Sequence, residues 1–324
     1  MPQSVENSSI HRVLILGAGW TGKQIAAQCL AHQKSVILVD PNVDVLRGAP
    51  DWIRKHIDER IQEGTWSVER FEGREGQQPV NNRNALQRLV LLEDAADAAS
   101  MEPKIDLVIE TVVEQIAVKR RALAKASQYF GNDTFIVSNS SYFVPSMLAK
   151  YVIQPERYAH FHFHVPIWHT QVVDVVPSST MSPESVKRLQ AFAKEIGQRP
   201  IVEMRENPGY IFNWLLQSWL KAALQLLDRK IATPEEIDWV WTQVSGMKVG
   251  PFGTMDWIGL DVIQQILANG RWVDGGEENE KWMELLQPLL DERSLGVKSG
   301  RGFFEYGNAG QTATEPEEKP KSNS

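Results

Sequence analysis

The sequence contains very little cysteine and no long run of apolar residues. Cys29 is the single cysteine among 324 residues, which excludes an intramolecular disulfide framework and a thiolate metal cluster. The N-terminal segment MPQSVENSSIHR lacks the apolar run of a signal peptide, and no later stretch approaches the length of a membrane span. We therefore expect a cytoplasmic protein with no membrane partner.

An excess of basic residues is also absent. The formal net charge is −7, which disfavours the broad basic surface that nucleic-acid binding requires. Hydrophobic residues make up 42% of the chain and charged residues 23%, as is typical of a globular protein with a buried core. The length exceeds that of an ordinary single domain, so two packed domains are expected.

Short apolar runs alternate with helical patterns through the first two thirds of the chain. The strand-like runs cover residues 13–16, 36–39, 105–109, 135–137, 158–163 and 172–176. Alternation of this kind predicts a mostly parallel sheet with helices on both faces. Residues 1–206 are therefore predicted to form a Rossmann-like α/β domain.

The pattern changes at Asn207-Pro208-Gly209, after which no strand is predicted before Phe303. Helical patterns cover residues 210–229, 238–245, 261–267 and 279–290. The segment Thr233-Pro234-Glu235-Glu236 predicts a helix start, with Thr233 as N-cap and Glu236 as the reciprocal cap. Residues 207–307 are thus predicted to form an all-α domain. Residues 308–324 lack bulky apolar side chains and are predicted to be a disordered tail.

The first strand-like run is followed by a G-x-G-x-x-G pattern, and the second ends at Asp40. In this pattern Gly17 permits a tight turn, Gly19 lets the backbone approach a pyrophosphate, and Gly22 lets a helix pack on the strand. We predict that Trp20 and Thr21, which begin the helix, also contact the cofactor. Asp40 is suited to binding the adenosine ribose hydroxyls and to repelling a 2′-phosphate, so NAD is the predicted cofactor.

Three histidines, His160, His162 and His164, alternate along one strand-like run and so share a face. One interpretation is a metal cluster, helped by His169; another is a single general base with two bystanders; the third is three ordinary half-buried histidines. No second shell is specified for a metal, so no metal is predicted. A neutral imidazole suits removal of a hydroxyl proton, and Asp174 in the next apolar run is a candidate partner.

The order of these motifs resembles the 3-hydroxyacyl-CoA dehydrogenase family from the first strand to about Tyr306. The matching pieces are residues 17–22 with Asp40; residues 106–110 with Val113, Glu114 and Lys119; residues 138–141; residues 162–166; residues 207–213; residues 250–252 and 259–261; and residues 298–304. Such relatives include 3-hydroxybutyryl-CoA, gulonate and carnitine dehydrogenases.

The resemblance implies oxidation of a secondary 3-hydroxyl to a ketone with NAD, as in fatty acid metabolism. It implies that His162 is the base and that Asp174 closes a dyad where the family usually has Glu. It further implies that Ser140 and Asn213 bind the substrate oxygen or support the base, while Glu114 and Lys119 lie near the nicotinamide ribose. The helical domain is expected to close over the cleft and to form a homodimer.

Three departures from the family pattern concern the substrate. Val165 replaces an Asn, and the carboxylate of Asp174 is one methylene shorter than that of Glu. On the helix after Asp40, His56 and Glu63 stand where the family holds CoA with a hydroxyl and a lysine, although Arg54, Lys55 and Arg60 lie nearby. Three functions are compatible with these residues: a 3-hydroxyacyl-CoA dehydrogenase, the same chemistry on a non-CoA 3-hydroxy acid, and a catalytically altered NAD-binding sensor or structural protein.

Overall fold

The computed structural model describes residues 9–64, 82–131, 133–268 and 278–307. The chain divides into two compact units, Met1–Tyr210 and Ile211–Ser324. The sequence places this boundary after residue 206. Tyr210 belongs with the first unit because its side chain is fully buried there and its hydroxyl donates to the backbone carbonyls of Ser140 and Phe143. The predicted tail, residues 308–324, lies outside the described residues.

The first unit contains one sheet of eight described strands. They are β1 Arg12–Leu16, β2 Ser35–Val39, β3 Leu89–Leu92, β4 Leu107–Glu110, β5 Phe135–Ser138, β6 Tyr158–Phe163, β7 Val172–Pro177 and β8 Arg199–Val202. Their order in the sheet is β3-β2-β1-β4-β5-β6-β7-β8, and only the β6–β7 pair is antiparallel. The predicted mostly parallel sheet is therefore confirmed. The edge strands β3 and β8 were not predicted.

Described helices cover the sheet. They are α1 Trp20–Ala31, α2 Val43–Gln62, α3 Asn82–Leu86, α4 Ile116–Tyr129, α5 Pro145–Leu148, α6 Ile167–Thr170 and α7 Pro183–Glu195. Side chains of β1 alternate between two cores: Val13 and Ile15 pack in one cluster, Leu14 and Leu16 in the other. Because both faces of the sheet are buried, the central strands are almost continuously apolar.

The second unit is mainly helical in its described part, as predicted, and it ends in a segment with isolated β-bridges, Gly296–Arg301 and Arg301–Glu305. Its helices are α8 Tyr210–Asp228, which begins at the last residue of the first unit, α9 Pro234–Ser245, α10 Pro251–Ile258, α11 Leu260–Ala268 and α12 Glu278–Asp291. The capping box at Thr233 and Glu236 is confirmed, since each side chain bonds to the other residue's backbone N–H. A separate core includes Leu224, Phe252 and Trp282. Among the described residues, no helix is both long and apolar enough to span a bilayer.

Candidate active site

The glycine turn after β1 brings three chain segments into close contact. Gly17 has φ = +104°, and a Cβ there would lie 2.9 Å from the carbonyl oxygen of Thr111. A Cβ on Gly22 would lie 1.9 Å from the carbonyl oxygen of Gly17. A Cβ on Gly19, in contrast, would meet nothing within 4 Å. Gly17 and Gly22 therefore permit tight packing, while the backbone at Gly19 stays open to a ligand.

The start of α1 is suited to a diphosphate. Gly19 is its N-cap, no side chain caps the helix, and its first turn carries no acid. The backbone amides at Trp20 and Thr21 and the positive end of the helix dipole therefore favour an anion. Asp40 directly follows β2, and its Oδ2 accepts from the Ala18 N–H at 2.8 Å. The Asp40 carboxylate therefore lies beside residues 17–19, which we call the phosphate turn. The residues present fit NAD.

A buried network of charges lies at the end of β4. The Lys119 ammonium is 2.9 Å from Glu110 Oε1 and 3.1 Å from Glu114 Oε2. Ser138 Oγ donates to Glu110 Oε2 at 2.6 Å, and Ser140 Oγ donates to Glu114 Oε1. Lys119 and Glu110 are almost fully buried, and such charges are tolerated only when they are paired. The structure therefore brings the predicted residues Glu114, Lys119 and Ser140 together.

His162 and Asp174 face each other across the antiparallel β6–β7 pair, where the strand register makes them direct partners. Asp174 Oδ2 accepts from His162 Nδ1 at 2.9 Å. An ionised carboxylate can only accept, so Nδ1 carries the proton and Nε2 keeps its lone pair. This is the tautomer that a general base acting through Nε2 requires.

Burial and hydrogen bonding together set the pKa values of His162 and Asp174. Removal from water lowers the pKa of His162, and the hydrogen bond to Asp174 offsets part of that effect. Burial would raise the pKa of Asp174, but its hydrogen bonds from His162 and His164 outweigh that and lower it. His162 is therefore neutral and Asp174 ionised near neutral pH, which suits proton abstraction from a hydroxyl.

The other two histidines have different surroundings. His164 Nε2 also bonds to Asp174 Oδ2, at 2.8 Å. His160 bonds through Nδ1 to the Tyr210 hydroxyl at 2.7 Å and through Nε2 to the Tyr158 hydroxyl at 2.8 Å. Burial lowers the pKa of His160 to about 3, so it stays neutral as a structural link. His169 instead lies 3.3 Å from Arg60 and is not in this group.

The remaining predicted residues are divided between the two units. Ser140 lies in the first, where its hydroxyl accepts from the Phe143 N–H at 2.9 Å. Asn213 lies on α8 in the second, and its predicted role stays a prediction. The sequence did not single out Asn139, whose Oδ1 accepts from the Phe163 N–H at 2.8 Å and so fixes the strand beside His162. The sequence signal that could have identified it is a polar residue at the end of a strand, next to Ser140.

Comparisons with known proteins cover nearly the whole described chain. The NAD binding domain of 3-hydroxyacyl-CoA dehydrogenase, as a family model, matches residues 12–206, and the C-terminal domain of 3-hydroxyacyl-CoA dehydrogenase matches residues 209–306. The mitochondrial hydroxyacyl-coenzyme A dehydrogenase of Mus musculus is 30% identical over 303 residues, 92% of this chain and 91% of that protein. The mitochondrial hydroxyacyl-coenzyme A dehydrogenase of Sus scrofa is 29% identical over 313 residues, 94% of this chain and 93% of that protein.

A solved structure adds a relative of another kind. A diketoreductase described as acting on dicarbonyl compounds is 29% identical with a TM-score of 0.79, covering 92% of this chain and all of that one. The family match confirms the predicted cofactor, NAD, and the predicted order of a dinucleotide-binding domain followed by a helical one.

Proposed function

The chain belongs to the 3-hydroxyacyl-CoA dehydrogenase family, and we propose that it interconverts a 3-hydroxyacyl compound and its 3-keto form. The observation that carries this proposal is the buried pair of His162 and Asp174, with a hydrogen bond of 2.9 Å and the imidazole tautomer of a base. When bound, NAD supplies the hydride acceptor for oxidation and the donor for reduction. This pairing of an intact dyad with an open phosphate turn favours an enzyme over a sensor.

In this proposal His162 Nε2 takes the proton of the substrate hydroxyl as the carbon is oxidised. Asp174 stabilises the imidazolium that forms, and general-base assistance of this kind contributes about 10²–10⁴-fold. The hydroxyl proton of Ser140 is already donated to Glu114. Its oxygen also accepts from the Phe143 N–H, and the single proton of the substrate hydroxyl goes to His162, so Ser140 supports the site through Glu114.

Ion pairing on α2 supports a second candidate, the same chemistry on a non-CoA 3-hydroxy acid. Four basic side chains of this helix each lie near an acid on the helix or at its C-cap, in the pairs Arg47–Asp44, Arg54–Asp51, Lys55–Glu59 and Arg60–Glu63. The Arg60 guanidinium also lies over the Trp168 ring, 5.1 Å from its centroid. Charges compensated in this way attract the phosphates of CoA weakly. The likeness to a diketoreductase described as acting on dicarbonyl compounds is in keeping with a dicarbonyl substrate.

The experiment that tests the function is a reduction screen followed by the loss of NADH absorbance. Acetoacetyl-CoA is compared with free 3-keto acids and with simple dicarbonyl compounds, neither of which carries a phosphate. NADH oxidation with any of them supports the proposal, and none with all three classes contradicts it. The variant Glu63→Gln sharpens the comparison, because it removes the nearer of the two carboxylates that pair with Arg60, leaving Glu59 at 3.8 Å, and does not touch the dyad. We expect it to lower KM for acetoacetyl-CoA and to leave KM for a free keto acid unchanged.

A homodimer is the assembly we propose. In the helical unit Trp239 is 65% exposed, Trp257 64% and Val244 83%. Several exposed large apolar side chains on one small helical unit are typical of a surface that another subunit covers. Sedimentation of the wild type is expected to give a dimer, and Val244→Glu is expected to shift it toward monomer. A cytoplasmic location and a role in fatty acid metabolism stay predictions.

A further inference from the structure

One carboxylate oxygen in the candidate active site is shared by two imidazoles. Asp174 Oδ2 lies 2.9 Å from His162 Nδ1 and 2.8 Å from His164 Nε2. The two rings are 4.7 Å apart between centroids and 70° from coplanar, so they approach the oxygen from different directions. Both lone pairs of Oδ2 are thereby used.

The hydrogen bond from His164 restricts a rotation of the Asp174 carboxylate that the hydrogen bond from His162 alone does not restrict. The terminal torsion of an aspartate is broad and roughly two-fold, so a single hydrogen bond leaves the carboxylate free to rock. Two donors from different directions fix the position of Oδ2 and, through it, the plane of the His162 ring. Asp174 is 2% exposed, so water does not compete strongly for that oxygen.

His164 is itself held in place by its loop. Its carbonyl accepts from Thr170 Oγ1 at 2.6 Å, and the following Ile167 N–H donates to Gln24 Oε1 at 3.0 Å. The imidazole is therefore carried by a segment anchored to α6 and to α1, the helix that begins at the phosphate turn. This anchoring makes the second hydrogen bond a fixed feature of the fold and not a chance surface contact.

We propose that His164 is a positioning residue for the dehydrogenase reaction: it holds the Asp174 carboxylate in the orientation that keeps His162 aligned as the base. This inference rests on the proposed function. The residue touches neither substrate nor cofactor in this role and acts only through Asp174. Because a misplacement of about 1 Å in a catalytic group costs about 10²-fold, the loss of this hold reduces turnover.

Two replacements of His164 separate the donor from the ring. His164→Gln keeps an N–H donor at a similar reach without an imidazole, and His164→Phe keeps a ring of similar volume without a donor. We expect kcat of His164→Gln to stay within about threefold of the wild type, and kcat of His164→Phe to fall roughly 10- to 100-fold. The dissociation constant of NADH is expected to stay unchanged in both. Equal activity of His164→Phe and wild type would overturn the proposal.

A double-mutant cycle tests whether His164 acts through Asp174. In an Asp174→Ala background, His164→Phe is expected to reduce kcat less than about threefold, because the group it positions is gone. Fully additive losses would indicate a general structural role and overturn the proposal. The side chains of His162, His164 and Asp174 also offer a set of ligand atoms for a divalent cation. Activity that a chelator abolishes and Zn²⁺ restores would make His164 a ligand and equally overturn it.

A measurement that needs no turnover distinguishes failure of this inference from failure of the proposed function. Imidazole nitrogen NMR of selectively labelled histidine reports which His162 nitrogen carries the proton. The Nδ1–H tautomer is expected in the wild type and in His164→Gln, and a mixture of tautomers in His164→Phe. An unchanged tautomer in His164→Phe contradicts the inference, whether or not a substrate has been found.

Discussion

The Tyr210 hydroxyl lies 2.7 Å from His160 Nδ1, and it joins β6 to the turn that carries Ser140. The same hydroxyl donates to the carbonyls of Ser140 and Phe143, at 2.8 and 2.9 Å. Its single proton serves these carbonyls, so His160 must donate through Nδ1 and accept from the Tyr158 hydroxyl. The ring of Tyr210 also packs 5.1 Å from that of His162.

Replacing Tyr210 with Phe is therefore expected to destabilise the protein. The change removes one hydroxyl and with it the hydrogen bonds to the buried His160 imidazole and to two backbone carbonyls, at a cost of about 1–3 kcal/mol. Urea denaturation measures the loss. Tyr129→Phe is the matched control, because that ring lies partly exposed near the end of α4, and no comparable cost is expected there. Equal stability of the two variants would show that the Tyr210 link contributes little.

The pH dependence of oxidation follows from the ionisation of His162. Only the neutral imidazole accepts a proton, so kcat/KM falls as the pH drops through the pKa of His162 in the free enzyme. Burial holds this pKa below its ordinary value of 6.5; His164 lowers it further, while Asp174 and Glu114 raise it. The acidic limb is expected to have its midpoint below pH 6.5.

Removal of the Asp174 carboxylate is expected to shift the acidic limb of the pH profile to lower pH. In Asp174→Ala the imidazolium loses its stabilising charge, so the pKa of His162 falls and the acidic limb shifts to lower pH. The plateau rate is expected to fall as well, by roughly 10²-fold. Circular dichroism across the same pH range controls for unfolding. A shift of the limb to higher pH would contradict the assignment of the base.

Asp40 is expected to determine the preference for NADH over NADPH. Its carboxylate lies just after β2, beside the phosphate turn, where it repels the 2′-phosphate of NADPH. Asp40→Asn keeps the shape and removes the charge, so the ratio of kcat/KM for NADH to that for NADPH is expected to fall about tenfold, which corresponds to about 1.4 kcal/mol. Asp44→Asn, on the exposed first turn of α2, is the control and should leave the ratio unchanged.

Asp256 is expected to stabilise the helical unit. Its carboxylate accepts from the N–H groups of Phe303 and Phe304 at 2.9 and 3.0 Å and from the Tyr306 hydroxyl at 2.9 Å. Asp256→Ala leaves these donors without an acceptor and is expected to cost about 3 kcal/mol in thermal or denaturant unfolding. Asp261→Ala, which removes a half-exposed ion pair with Lys298 and a hydrogen bond from the Val262 N–H, is expected to cost less, about 1 kcal/mol.

Much of the fold was readable because the signals are local. The apolar runs of the central strands, the glycines at 17, 19 and 22, and the Thr233 capping box each depend on neighbours in the sequence. The edge strands carry weaker signals, for different reasons: β3 is a run of only four apolar residues, LVLL, which periodicity cannot separate from a helix, while β8 begins with Arg199 and Pro200, which are typical of a loop. An edge strand tolerates such residues because one side of it has no partner.

The site was readable only in part, because its contacts join distant positions. The alternation of three histidines predicts a shared face but does not say which of them meets Asp174. Only the β6–β7 register settles that His162 and His164 share Asp174 while His160 turns to Tyr210. The link to Tyr210 spans 50 residues, and no local pattern encodes it.

The most direct test of the account compares His162→Gln with the wild type in single-turnover reduction of a 3-keto substrate by bound NADH. The account predicts that NADH binds with unchanged affinity, because the phosphate turn is untouched, while the hydride-transfer rate falls about 10²–10⁴-fold. An unchanged rate in His162→Gln would contradict the central claim that this imidazole is the proton carrier.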